Sequence, residues 1–256
     1  MADEGECISI KLEYHYDIIN DMVKNNKVIM GSSSIKVTFG GSVTFGMIIQ
    51  LGIRYFVSAI HFKNLAIESE KSKEHEKYEL YCINSVIMSY LALEAFINEF
   101  FMDAVLIKEE LGKHFDKDTI ELIASHSVTL LRSENTIEKY QYVLLLARKK
   151  AFVPGTLPYQ AVDDLESLRN ALIHFKPELD TDQKQHTKLE ARLSGKFAFN
   201  PFLDGTGNPI FPSKCFSVGC AEWAIKSVSD FVNAFYDKLG IISVLEYHKD
   251  TIKNWT

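Results

Sequence analysis

From Tyr78 onward the sequence carries an apolar pattern that few arrangements satisfy. Ile83, Ile87, Tyr90, Ile97 and Phe101 fall on one face at helical spacing, and Met88, Leu93, Phe96 and Phe100 make the other side apolar too. A helix greasy all round is a central, buried one, so further helices must pack about it. Candidates follow at 117–131, at 134–150 ending in Arg148-Lys149-Lys150, at roughly 161–175 stopped by Pro177, and as a shorter polar helix at 182–193. The last strong helix spans about 219–239 and ends at Gly240. Pro154 to Pro158 breaks the chain, and Gly195 to Phe216 is a long connection with a turn at Asp204-Gly-Thr-Gly-Asn208.

The N-terminal part reads differently. Ile35, Val37 and Phe39 alternate with polar residues, as do Val43, Phe45 and Met47. A three-residue loop, Gly40-Gly41-Ser42, would pair Phe39 with Val43 and Val37 with Phe45, placing both apolar sets on one face of a hairpin. Residues 48–66 fit helix or strand, and the charged run from Glu68 to Lys77 fits a solvated helix face or a linker. The expected fold class is mainly α: a helical bundle over residues 67–256, with residues 1–66 as a β-containing extension packed on it.

Composition narrows the function classes. With 46% apolar residues and a formal charge of −6, the chain supports a sizeable core and is no general nucleic-acid coat, although a local basic site remains open. Its four cysteines form no C-x-x-C pairs, and the acidic start Met-Ala-Asp-Glu-Gly-Glu is unlike a secretory leader. The longest apolar run, Met47 to Phe62, is interrupted by Gln50, Gly52, Arg54 and His61, so no membrane span is expected. A soluble, cytoplasmic protein without metal or cofactor is the expectation.

The chemistry concentrates in Leu165-Glu-Ser-Leu-Arg-Asn-Ala-Leu-Ile-His-Phe-Lys-Pro-Glu-Leu179. At about 100° per residue, Leu165, Leu168, Leu172 and Phe175 form a core stripe; Asp163, Glu166, Asn170 and His174 collect opposite, with Arg169 between. Arginine offers a permanent positive fork for phosphate, and histidine suits proton transfer near neutral pH. Asn170 and His174 are neighbours at four residues apart, whereas Arg169 and His174 diverge by roughly 140°. Ile173 lies off the core stripe, beside the polar face, as if a second subunit covered it. On the central helix, Glu94 interrupts an apolar stripe, with Asn98 one turn on. A lone carboxylate there needs a partner, and Arg169 is the expected one.

Leu-Arg-Asn followed by His resembles the HEPN superfamily, whose ribonucleases carry Arg, four to six residues, then His. Tyr90-Leu-Ala-Leu-Glu-Ala-Phe-Ile-Asn-Glu99 resembles its early helix with an acidic or polar residue, here Glu94, and Cys220-Ala-Glu-Trp-Ala224 resembles the opening of a late helix. The resemblance covers roughly residues 78–239. It implies a homodimeric, metal-independent endoribonuclease in a toxin or antiviral setting, with RNA and an antitoxin or regulatory protein as partners. Arg169 would bind the scissile phosphate, His174 would move a proton for attack by the ribose 2′-hydroxyl, Asn170 would orient the phosphate or imidazole, and Glu94 would hold Arg169 or join the site. Products would carry 2′,3′-cyclic phosphate and 5′-hydroxyl ends. Some members bear a modified tyrosine two residues after the histidine; here that position is Lys176. A non-catalytic module binding RNA, a nucleotide or a protein through the same face is the alternative, and a purely structural helical dimer the third.

Other motifs read as structure. Cys215 and Cys220 have poor spacing for zinc and fit core positions. Gly205-Thr-Gly-Asn-Pro209 lacks the Gly-Lys-Ser/Thr of a phosphate loop and reads as a turn. Arg148, Lys149, Lys150, Lys184, Lys188, Arg192 and Lys196 could track an RNA backbone, but such charges more often belong to solvated helix faces.

Overall fold

A computed structural model describes residues 50–106, 111–133, 135–176 and 186–256, and for 12–13, 32–39 and 42–49 the backbone alone. The described residues are mainly helical. Helix α1 (Gly52–Lys71) runs to a short connection where Lys73 takes φ 58°, and α2 (His75–Leu106) follows. Then come α3 (Lys117–Ser133), α4 (Thr136–Leu146), α5 (Tyr159–Ile173), α6 (Thr187–Leu193) and α7 (Val218–Leu239). Two short helices, α8 (Val244–Tyr247) and α9 (Lys249–Lys253), close the chain.

The segment left open between helix and strand is α1. Ile53, Phe56, Val57 and Ile60 recur at helical spacing and are buried against the bundle, and Gly52 occupies only its first position. Position 66/67, the expected boundary of the N-terminal extension, therefore lies inside this helix. The run Glu68 to Lys77 covers the end of α1, the connection and the start of α2.

In the N-terminal segment, β1 (Leu12–Glu13), β2 (Ser32–Phe39) and β3 (Ser42–Ile49) pair antiparallel in that order. Phe39 stands opposite Ser42 and Val37 opposite Thr44, one residue from the expected register. The side chains of this segment lie outside the described residues.

Helix α2 is the axis of the bundle. Tyr90, Leu93, Phe96, Ile97, Phe100 and Phe101 are buried, as its all-round apolar pattern requires. It is long and apolar enough, by length and composition, to cross a membrane, and half of that stretch is buried within the molecule itself. Tyr140 of α4 sits at the centre of an aromatic cluster, edge-on to Phe231 at 5.0 Å and to Phe235 at 4.8 Å. Its hydroxyl donates to the Leu93 carbonyl at 2.7 Å.

Helix ends have identifiable causes. Ser217 caps α7 by accepting from Cys220 N at 3.0 Å, and Gly240 ends it at φ 80°. Helix α4 stops at Leu146, short of the expected 150. Arg148 turns left-handed at φ 55°, while Arg148 N and Lys149 N bond back to the carbonyls of Leu145 and Leu144. Arg148-Lys149-Lys150 thus lies beyond the helix and is exposed. Helix α5 ends at Ile173 rather than 175, with His174 as its C-cap. Pro177 itself, and residues 182–185 of the expected polar helix, lie outside the described residues.

Leu51 has no capping side chain, yet α1 starts cleanly. Glu99 of α2 supplies the acceptor: its Oε1 takes Leu51 N–H at 2.6 Å and Gly52 N–H at 2.8 Å. Asp103, one turn on, shares a small pocket with Glu99, Gln50, Tyr236 and His248. Burial, and then the charge of Glu99, push Asp103 up to about 7 from an ordinary 3.8. Between these values the folded chain keeps a proton that the unfolded chain has released, so this group makes stability fall as pH rises from about 4 to about 7. Asp103→Asn is therefore predicted to stabilise the fold at pH 8 by on the order of 2 kcal/mol and to change little at pH 4. Urea midpoints at the two pH values check this; equal effects at both would remove the proton from the account.

Candidate functional site

Helix α5 docks through Val162, Leu165 and Leu168, all buried. Leu172, partly buried, still packs against the core, whereas Phe175, beyond the end of the helix, is 45% exposed. On the flank of the buried stripe stand Glu166, Arg169 and Asn170.

Arg169 does not pair with Glu94. No ion pair joins them among the described residues; instead the guanidinium lies over the Tyr90 ring, with Cζ 5.0 Å from the centroid. Its Nη1 donates to Asn170 Oδ1 at 2.9 Å, and its Nε is buried without an acceptor among the described residues. The tertiary fold accounts for the difference. The Arg169 guanidinium is taken up by the Tyr90 ring, and α4 brings Lys139 to Asn98, one turn from Glu94 on α2. Lys139 is 4% exposed and donates to Asn98 Oδ1 at 3.0 Å. Burial pushes its ammonium below the ordinary value, and the charge of Glu94 opposes that. Glu94 itself is only half-buried, and Lys139 feels its charge without an ion pair between them among the described residues.

Tyr90 is the junction of three helices. Its hydroxyl donates to Glu166 Oε1 of α5 at 2.5 Å and lies 3.0 Å from Thr136 Oγ1 of α4. Burial and then the Glu166 contact raise its pKa, so it stays a neutral phenol. Burial also raises Glu166, as do the charges of Asp163 and Glu94; the Tyr90 hydroxyl and Arg169 pull the other way. A half-buried carboxylate with a raised pKa, a tyrosine and an arginine therefore meet at the edge of the core.

His174 caps the C-terminus of α5, with its backbone N–H on the Asn170 carbonyl at 3.0 Å. Its side chain is exposed and has no hydrogen bond, to Arg169 or to any other group, among the described residues. Asn170 is the link between the two: its side chain holds Arg169 and its carbonyl holds the backbone of His174. Ile173 and Phe175, on either side of the histidine, are 50% and 45% exposed.

Two of the basic residues considered for an RNA track are committed elsewhere. Arg192 Nε donates to the buried Asp164 at 2.6 Å and Nη2 pairs with Asp163, while Lys196 reaches Asp164 at 2.8 Å. They tie α6 and the chain after it to α5. Lys188, Arg148, Lys149 and Lys150 are exposed, and Lys184 lies outside the described residues. Cys82, Cys215 and Cys220 are buried free thiols; burial pushes Cys82 and Cys215 up to about 12. Residues 204–206 form the expected turn, with Gly205 at φ 67°.

Sequence reading missed Glu166, Tyr90 and Lys139 as site residues. Glu166 was within reach, since it stands three residues before Arg169 and so beside it on the helix. Lys139 carried a signal too: Thr136, Lys139, Tyr140, Val143 and Leu144 recur at buried-stripe spacing, with a charge inside the stripe. The ring of Tyr90 gave none, because its partners come from two distant helices. No family model, curated protein or solved structure matches this chain.

Proposed function

We propose that the α5 face is the cleavage site of a HEPN-type, metal-independent endoribonuclease that works as a homodimer. The carrying observation is the state of Arg169. Its guanidinium rests on a tyrosine ring instead of a carboxylate, so its charge is oriented but not consumed. Such a group is ready for a phosphate and for the charge that grows in a pentacoordinate transition state. His174, exposed one helical turn beyond, supplies proton transfer. Arg169 and His174 of one chain diverge, so a composite site made by two copies fits them better, with Ile173 and Phe175 as the apolar contact between copies. Attack by the ribose 2′-hydroxyl leaves cyclic phosphate ends. A toxin or antiviral role, with a regulatory protein as partner, is the setting we attach by resemblance alone.

The second reading is a non-catalytic module binding RNA, a nucleotide or a protein. It is favoured by the imidazole of His174, which has nothing to orient it among the described residues.

Mixing two inactive variants tests the composite site. An equimolar mixture of Arg169→Ala and His174→Ala chains, refolded together, is expected to regain about a quarter of the parent cleavage rate, because half the dimers are mixed and each keeps one intact site. No recovery, with mixed dimers verified, would place both groups in one chain. Binding without cleavage by the parent protein would favour the second reading.

A further inference from the structure

Cleavage by 2′-hydroxyl attack needs two proton transfers: one away from the nucleophile and one to the departing 5′-oxygen. The residues named so far supply one acid–base group, His174. We infer that Glu166 is the other: a catalytic base that acts on the phosphate held by the Arg169 of its own chain. This rests on the ribonuclease reading.

Placement comes first. Glu166 precedes Arg169 by three residues, an axial offset of about 4.5 Å on the same side of the helix, whereas His174 follows by about 7.5 Å and turns away. Glu166 is also fixed. One oxygen accepts the Tyr90 hydroxyl at 2.5 Å, and that same tyrosine carries the Arg169 guanidinium on its ring. Phosphate binder and carboxylate are therefore aligned by one buried side chain, and Oε2 makes no hydrogen bond among the described residues.

The groups around Glu166 set its proton affinity. From α2 come Tyr90 and Glu94; from α5, Asp163, Arg169 and Tyr159; from α4, the Thr136 hydroxyl and, one turn on, Lys139 bound to Asn98. Two acids and burial favour the protonated form, while Arg169 and the Tyr90 hydroxyl favour the carboxylate.

The step balances. The 2′-hydroxyl proton passes to the Glu166 carboxylate, the 2′-oxygen forms a bond to phosphorus, and the bond from phosphorus to the 5′-oxygen breaks. The leaving oxygen takes a proton from the partner's His174, which becomes neutral. Tyr90 touches no reacting atom and is a positioning residue.

The test is the pH profile of kcat/KM on a single-stranded RNA oligonucleotide, for the parent, Glu166→Gln and Tyr90→Phe, with thermal midpoints recorded for each. The amide of Glu166→Gln can still accept the Tyr90 hydroxyl, so folding is kept. The parent should show a rising acid limb. Glu166→Gln should lose about 100-fold or more at neutral pH and lose the limb with it. Tyr90→Phe should keep a limb displaced to higher pH, because the bond that favoured the carboxylate is gone. A Glu166→Gln enzyme that keeps the parent rate, or is slowed but keeps the limb in place, overturns the inference and leaves the ribonuclease reading standing. No cleavage by the parent overturns both.

Discussion

Gly219→Val is expected to cost about 3 kcal/mol and to lower the thermal midpoint by roughly 6–12 °C. A Cβ at residue 219 would stand 2.6 Å from the Ala198 carbonyl oxygen and 2.9 Å from the Ala198 nitrogen. These are backbone atoms, so no rotamer change relieves the overlap. The approach is held from several sides. Ser217 donates to the Ala198 carbonyl at 2.7 Å, Val218 N–H donates to the Tyr78 hydroxyl at 3.0 Å, and the Phe197 ring lies 5.4 Å from that of Trp223. Adding a side chain must push the 195–216 connection off the start of α7. Gly207→Ala is the control: nothing lies within 4 Å of its Cβ, and the change should stay within about 0.5 kcal/mol. Equal midpoints for the two variants, read by circular dichroism, would contradict the packing described for the start of α7.

Arg169→Ala is expected to reduce RNA cleavage by about 10³-fold, the scale of losing a principal stabiliser of transition-state charge. The thermal midpoint should move little. The lost cation–π contact is worth about 1–2 kcal/mol at a partly buried site, and removing a buried Nε that has no acceptor offsets part of it. Arg169→Lys is the sharper variant. An ammonium keeps the charge, but it cannot spread over the Tyr90 ring while also reaching Asn170 and a phosphate. It should stay far below the parent. A lysine variant with the parent rate would mean that charge alone matters and that the alignment by Tyr90 does not.

Much of the fold was legible because its elements are strongly periodic. The all-round apolar pattern around Leu93 and Phe96 gave the buried axis, and the stripe from Ala221 to Leu239 with Gly240 behind it gave α7 nearly to the residue. Where element ends depart from the periodic pattern, the cause lies outside that pattern. Helix α1 begins at a leucine because Glu99, on another helix, supplies its cap. Helix α4 ends early because an arginine adopts the conformation usually reserved for glycine. At the site, sequence placed Arg169, Asn170 and His174 on adjoining positions, and the Glu94–Arg169 ion pair it suggested is absent among the described residues. Only the packed helices reveal that Lys139 binds Asn98, and that Tyr90 stands beneath Arg169 with Glu166 on its hydroxyl.

The chemistry of the product ends is the most direct test of metal-independent cleavage at this site. The purified protein would be incubated with a defined RNA oligonucleotide in excess EDTA, with His174→Ala alongside, and the 3′ ends of the fragments mapped by mass. The parent is expected to leave 2′,3′-cyclic phosphates and the variant none. Intact RNA with a folded, dimeric parent protein would contradict it, as would cleavage that His174→Ala leaves unchanged.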